Sequence, residues 1–339
     1  MKFKKYSSIE NSYRLKEIER IKAHAFNQKD IRYVVQEKVH GANFSFWTDG
    51  NEVRCAKRTA FLDASDSFYN FQKVLARYYS KILESFKISE AKEQLVLYGE
   101  LFGGNYPHKD VEPVKEQKTI QKGVFYNPDV DFYVYDAAID GKLVDQYTLY
   151  ILTAEIGLGL FAHDLSGKSE SFSFEEALEF DPVFESGIYK FYDLPKLENN
   201  MAEGVVIKPF KPLFYPNGER VILKNKNPKF GEKVHQDKKP KPTINLSEEG
   251  NLLMDDLMSY LNENRLRNVL SKIGQVTQKD FGKIMREFTS DAMDDFDKEN
   301  KASFDSLAKE ERKVLTKTLS NEAATLIRNN FANIIDGNF

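Results

Sequence analysis

One cysteine, Cys55, stands in 339 residues, and that scarcity excludes an internal disulfide framework and any zinc site built on cysteine pairs. Long apolar runs are missing too. No stretch approaches the roughly 18 apolar residues that a membrane span needs. The basic opening MKFKKYSSIENSY has no apolar segment behind it to make a signal peptide. An intracellular, cytoplasmic protein with no membrane partner is the default expectation. Also absent are G-x-x-x-x-G-K, G-x-G-x-x-G and H-E-x-x-H, so the chain offers no P-loop, dinucleotide fingerprint or zinc-protease helix. Proline is unevenly missing: all 11 lie at or before Pro242 and none in the last 97 residues. A change in composition that abrupt marks a domain boundary.

What is present is a globular composition, 41% hydrophobic and 30% charged, in a chain long enough for two domains. Upstream of the boundary, DFYVYDAAI (131–139), EGVVIKPF (203–210) and ERVILKNK (219–226) are rich in β-branched and aromatic residues between turn formers. Each reads as a strand. SFYNFQKVLARYYSKILESF (67–86) reads as a helix. The strands are too scattered for a regular βαβ repeat, so the first domain, 1–234, is expected to be α+β with antiparallel sheets. The segment 235–245 is polar, charged and proline-bearing, and reads as a linker.

Residues 246–339 turn helical. Leu266, Val269, Leu270 and Ile273 follow the spacing of one helix face, and Gly274 stops it. Thr277 can cap the next helix with Asp280, while Val276 and Phe281 have the spacing of a hydrophobic staple. Phe281, Ile284, Met285 and Phe288 make its apolar face. A last stripe runs through Leu315, Leu319, Ala323, Leu326, Ile327 and Phe331. These stripes predict a small all-helical domain.

The stretch YVVQEKVHGANFSFW, 33–47, holds two strand-like halves with Glu37, Lys38, His40 and Gly41 between them. A hairpin there could have used Asn-Gly. Taken alone, Lys38 is a solvated turn residue. It becomes a nucleophile only where desolvation or neighbouring cations let its amine be neutral. Such a site also needs cations for phosphate, carboxylates for a metal and an aromatic platform. The chain supplies them in order: CAKRT (55–59), YGELFG (98–103) with Glu100, DFYVYD (131–136), AEGVVIKP (202–209) and VILKNKN (221–227). Singly each is weak. Alternating lysines such as Lys224 and Lys226 also guard edge strands, and a glutamate at a strand end is ordinarily solvated.

In this order the set resembles the covalent nucleotidyltransferases: ATP-dependent DNA ligases, RNA ligases and mRNA capping enzymes. Their Lys-x-Asp-Gly element appears here as KVHG, with His40 in place of Asp. That departure, with EKVHGANFS, CAKRT and the opening FKKYSSIEN, is similar to the bacteriophage T4 RNA ligase 2 family, which includes the RNA-editing ligases of trypanosome mitochondria.

The resemblance implies an ATP-dependent RNA ligase, with ATP and Mg²⁺ or Mn²⁺ as cofactors. Lys38 would carry AMP, and Lys224 and Lys226 would reach the α-phosphate and help lower the pKa of Lys38. Glu203 and Glu100 are the metal candidates, Glu203 as the metal-linked carboxylate and Glu100 also toward the ribose hydroxyls. Tyr135 takes the place of a phenylalanine that the phage enzyme's pattern sets against the adenine, with Asp136 supporting it. Glu37 would read the adenine amino group. Tyr6, Asn43, Arg58 and Lys208 complete the nucleotide contacts, Arg58 with a fork suited to phosphate. His40 would orient the turn or touch phosphate, and Gly41 would allow the turn to be tight.

From Lys208 to Thr243 there are ten Lys/Arg against three acidic residues, whereas 244–339 carries 13 basic and 17 acidic residues. A polyphosphate backbone suits the first stretch; a solvated charged linker is the bland alternative for 233–241. The expected partner is RNA with 3′-hydroxyl and 5′-phosphate ends in a nicked duplex, met by a monomer. DNA ligases and capping enzymes follow their last lysine motif with a β-rich domain, and this helical tail argues against both. A catalytically silent nucleic-acid-binding relative should have lost Lys38, Glu203, Lys224 or Lys226, and all four are present.

Overall fold

The computed structural model describes residues 1–25, 31–155, 157, 158, 162, 165, 172–231 and 246–339. The predicted linker at 235–245 lies outside them. Two units divide the chain, Met1–Lys229 and Phe230–Phe339.

The first unit runs β1 (Glu10–Asn11), α1 (Leu15–Ala25), β2 (Tyr33–Glu37), β3 (Ala42–Thr48), β4 (Val53–Lys57), α2 (Phe71–Ile88), β5 (Leu95–Gly103) and β6 (Val130–Ile139). It continues through β7 (Lys142–Leu143), α3 (Gln146–Ala154), α4 (Phe174–Leu178), β8 (Gly204–Pro209) and β9 (Leu223–Lys226). The strands form a four-stranded sheet, β1-β9-β8-β2, and a five-stranded sheet, β4-β3-β5-β6-β7. All named pairs are antiparallel except β1 with β9. The α+β expectation holds.

Alternation along the strands sends successive side chains to opposite faces. One face of the five-stranded sheet buries Phe44, Phe46, Leu97, Leu101, Phe132 and Val134 against Phe71, Val74 and Ile82 of α2. In the four-stranded sheet, Tyr33, Val35, Val205, Ile207 and Leu223 pack on Ile21 of α1 and on Phe174 and Ala177 of α4. The remaining faces carry the polar residues: Asn43 pairs with Glu100 and Glu100 with Tyr133 in one sheet. In the other, Lys226 lies opposite Gly204, Lys224 opposite Val206, and Lys208 opposite Val34.

Three local expectations change. The two halves of 33–47 do not pair as a hairpin, because β2 belongs to one sheet and β3 to the other. Residues 38–41 carry the chain between sheets, and the Lys38 backbone N–H donates to the Gly204 carbonyl at 2.9 Å. Gly41 is not among the residues with positive φ. It is required by contact, since a Cβ there would lie 2.2 Å from the Leu101 carbonyl oxygen. Finally, β9 starts only at Leu223, and it is no edge strand, lying between β1 and β8. Aggregation guarding therefore does not explain Lys224 and Lys226.

The second unit contains α5 (Glu248–Ser259), α6 (Glu263–Ile273), α7 (Phe281–Ser306) and α8 (Lys309–Ile335). The predicted stripes form one core: Leu266, Val269, Ile273, Ile284, Phe288, Leu315, Leu319, Ala323 and Ile327 are buried together. Gly274 ends α6 at φ 87°, and Thr277 and Asp280 close a capping box ahead of α7. Among the described residues no helix is long and apolar enough to cross a membrane.

Candidate active site

Glu203 immediately precedes β8 and is 1% exposed, and around its carboxylate the polar residues gather. The Lys38 ammonium donates to Oε2 at 2.7 Å, and Lys226 pairs with Oε1 at 2.7 Å. His40 Nδ1 lies 3.3 Å from Oε2. Burial alone would push the Glu203 carboxyl up, but Lys226, Lys38 and His40 together hold it well below the usual carboxylate range. His40 is fixed from behind, its backbone N–H donating to the buried Tyr126 hydroxyl at 3.0 Å. Lys224, two residues before Lys226 on the same strand face, is partly buried opposite Val206 and Asn11.

Glu100 arrives from β5. Burial pushes its carboxyl up to about 8; Glu203 adds to that rise, and Lys38, Arg58 and Lys226 oppose it. The structure thus brings Lys38, Arg58, Glu203 and Lys226 within electrostatic reach of Glu100. Directly before Lys38, Glu37 ends β2. Burial pushes it up to about 7, against hydrogen bonds from the Ser186 hydroxyl and the Gly187 backbone. Its Oε1 is buried with no hydrogen-bond partner. A buried acceptor without a donor is costly unless a ligand supplies one.

Tyr135 lies where β6 departs from regular register. Asp136 pairs with Tyr98 and Val134 with Gly99, leaving Tyr135 as the extra residue of a bulge. The bulge breaks alternation, so Tyr135 and Asp136 share the face away from Phe132 and Val134. There the Tyr135 hydroxyl accepts from Asn43 Nδ2 at 2.5 Å, and its ring centroid is 5.1 Å from that of Tyr6. Asp136 accepts from the Tyr6 hydroxyl, from Lys208 at 2.8 Å and from Arg220 at 2.7 Å. Burial would raise the Asp136 carboxyl, yet Arg220 and Lys208 hold it well below its usual range. Burial pulls the Lys208 amine down to about 8, with Arg220 acting the same way and Asp136 opposing.

All the sequence-predicted site residues therefore lie in the first unit, and apart from Glu37, Arg58 and Lys224 they fall into two groups. Lys38, His40, Glu203, Lys226 and Glu100 form the first, and Tyr6, Asn43, Tyr135, Asp136 and Lys208 the second. Sequence reasoning missed Arg220, Ser186 and Tyr126. Arg220 left one signal, a charged residue at the head of the apolar run VIL. Ser186 and Tyr126 left none, because only chain folding brings them to Glu37 and His40.

A family model described as RNA ligase matches residues 31–226, and one described as T4 RNA ligase 2 C-terminal matches residues 244–325. The chain is 25% identical over 395 residues to the mitochondrial RNA-editing ligase 2 of Trypanosoma brucei brucei, covering 98% of this chain and 92% of that protein. It is 26% identical over 337 residues to mitochondrial RNA-editing ligase 1 of Trypanosoma brucei brucei, covering 79% and 70%. A solved structure of Naegleria gruberi RNA ligase with PPi matches with a TM-score of 0.45 and 14% identity. That match covers 67% of this chain, which spans 57% of the length of the Naegleria chain.

Proposed function

Because the chain belongs to the RNA ligase family, we propose that it is an ATP-dependent RNA ligase that joins a 3′-hydroxyl to a 5′-phosphate in nicked or bridged duplex RNA. The observation that carries this reading is the Lys38 amine held 2.7 Å from the buried Glu203 carboxylate, whose other oxygen holds Lys226. A candidate nucleophile, an anionic anchor and a second cation at that spacing suit attack on a polyphosphate.

In the first step Lys38 Nζ attacks the α-phosphorus of ATP. The nitrogen–phosphorus bond forms, the bond to the β-phosphate oxygen breaks, and pyrophosphate leaves. Before attack the Lys38 ammonium leaves its ion pair with Glu203 and loses one proton to solvent to become the neutral amine. The nitrogen loses a second proton to solvent as the phosphoramidate forms. Lys226 and Lys224 neutralise the charge that develops on the non-bridging oxygens. An oxygen of the RNA 5′-phosphate then displaces Lys38 from the adenylate, Arg58 holding that phosphate. In the last step the 3′-hydroxyl attacks the activated 5′-phosphorus and AMP departs.

The adenine would stack on Tyr135, with its amino group supplying the donor that Glu37 Oε1 lacks. The Glu100 carboxyl, pushed up to about 8, can both donate to and accept from ribose hydroxyls at neutral pH. Among the described residues no three metal-ligating side chains gather, which fits Mg²⁺ or Mn²⁺ taking phosphate oxygens and water besides Glu203, with Glu100 near. Bound there, the ion would supply positive charge to the phosphate. The excess of basic residues from Lys208 to Thr243 supports an RNA backbone lying along this part of the chain.

The test is incubation with α-labelled ATP and Mg²⁺ followed by denaturing electrophoresis. The wild-type chain takes label. Lys38→Ala takes none and seals no 5′-phosphate nick, yet still joins a strand supplied already adenylated. Labelling of Lys38→Ala would remove Lys38 as the nucleophile, and an unlabelled wild type would sink the ligase reading.

A further inference from the structure

Arg220 lies just ahead of β9, is 1% exposed, and belongs to no part of the site that the motifs mark. Its guanidinium forks onto Asp136, Nη1 to Oδ2 at 2.7 Å and Nη2 to Oδ1 at 3.2 Å. The same Nη1 donates to the Tyr6 hydroxyl at 2.8 Å. We propose that Arg220 is a positioning residue of the nucleotide site: by holding Asp136 against Tyr6 and Lys208 it fixes Tyr135 where the purine stacks. It thereby sets affinity for ATP and not the rate of adenylyl transfer. The proposal rests on the ligase reading above.

Tyr135 is the extra residue of a bulge, and a bulged residue lies outside the regular ladder of strand hydrogen bonds. Its carbonyl is instead held by the Lys208 ammonium at 2.6 Å, the same ammonium that donates to Asp136 Oδ1 at 2.8 Å. The position of Tyr135 thus depends on Lys208, that of Lys208 on Asp136, and the orientation of Asp136 on the Arg220 fork. Tyr6 closes the loop. Its hydroxyl bonds both Asp136 and Arg220, and its ring lies against that of Tyr135 at 5.1 Å between centroids.

One buried carboxylate faces two buried cations here, an arrangement that is stable only when the hydrogen-bond geometry is good. The planar fork supplies that geometry by engaging both carboxylate oxygens at once. An ammonium in its place keeps the charge and loses the fork. None of these bonds reaches the phosphate-side group of Lys38, Glu203 and Lys226. A fault in Arg220 should therefore appear in base binding and leave phosphoryl transfer nearly intact.

The experiment is single-turnover self-adenylylation of the full chain across a range of ATP concentrations, with Arg220→Gln and Arg220→Lys beside the wild type. Half-saturating ATP should rise at least about tenfold in Arg220→Gln, the scale of one charge-assisted hydrogen bond. It should rise by a smaller factor in Arg220→Lys, with maximal rates of both within about threefold of wild type, a pattern that marks lost binding. Unchanged half-saturation in both variants overturns the proposal, as does a fall in maximal rate at unchanged half-saturation. If Arg220→Gln does not fold, Arg220→Lys decides by the same criterion. A wild type that takes no label removes the ligase reading and Arg220's role with it, whereas a labelled wild type with indifferent variants removes only the role.

Discussion

In the folded chain the Glu37 carboxyl keeps its proton up to about pH 7, because burial outweighs the bonds from Ser186 and Gly187, whereas a solvated glutamate releases it near 4.5. Between those values the folded state binds more protons than the unfolded one, so stability falls as pH rises. The contribution is complete below 4.5 and spent above 7. Glu37→Gln has no proton to lose. From pH 5 to 7.5, without nucleotide or metal, its unfolding free energy, measured in urea, should fall less than that of the wild type. The difference should be on the order of 1–3 kcal/mol. Glu100 contributes to both proteins and cancels. Parallel curves would mean that Glu37 is solvated, and the adenine contact would lose its basis. Glu203 is held in the opposite state, because Lys226, Lys38 and His40 reach its carboxylate.

At the scale of the element, the bulge between β5 and β6 governs the nucleotide side of the site. Gly99 stands at the register shift, and a Cβ there would lie 2.3 Å from the Tyr133 carbonyl oxygen and 2.3 Å from a Phe132 ring carbon. Neither can withdraw without moving the strand. Gly99→Ala should therefore destabilise the first unit by about 1–3 kcal/mol, the range for overpacking. Because the strand that moves carries Tyr135, it should also raise half-saturating ATP. Thermal unfolding and the single-turnover assay check the two effects, and wild-type values in both would show that β6 can shift freely. In the helical unit the sequence rules worked without help. Gly274 at the end of α6 and the Thr277–Asp280 box before α7 are local devices, decided by residues three or four apart.

At the scale of the whole molecule, each unit has its own core, one set around the two sheets and the other among the four long helices. All the proposed contacts to AMP lie between Tyr6 and Lys226, inside the first unit. A fragment ending near residue 240 should thus fold and self-adenylylate, yet seal nicked RNA poorly. Positioning of the RNA end is worth several kcal/mol to a joining step, and we propose that the helical unit supplies it. Joining of a pre-adenylated end should suffer less than transfer of AMP to the nick. Measured on the purified fragment, loss of self-adenylylation in a folded product would put the helical unit in the active site. Full nick sealing would relieve it of any part in RNA recognition.

Sequence by itself determined the elements and the chemistry. Strand alternation, helical stripes and caps are set by near neighbours, and KVHG, EGVVIK and LKNK, each weak alone, pointed to a nucleophile, a carboxylate and two cations through their order and the family resemblance it carries. Three things were decided only by tertiary structure. The segment after Glu37 crosses between sheets instead of turning a hairpin, because β2 pairs with distant β8 and β3 with β4 and β5, not with each other. Gly41 answers to the Leu101 carbonyl and not to a turn angle. Asp136 is held ionised because Arg220 and Lys208 converge on it beside the β6 bulge. Charge, burial and close approach at those points depend on which distant residues become neighbours, and a linear pattern holds no record of that.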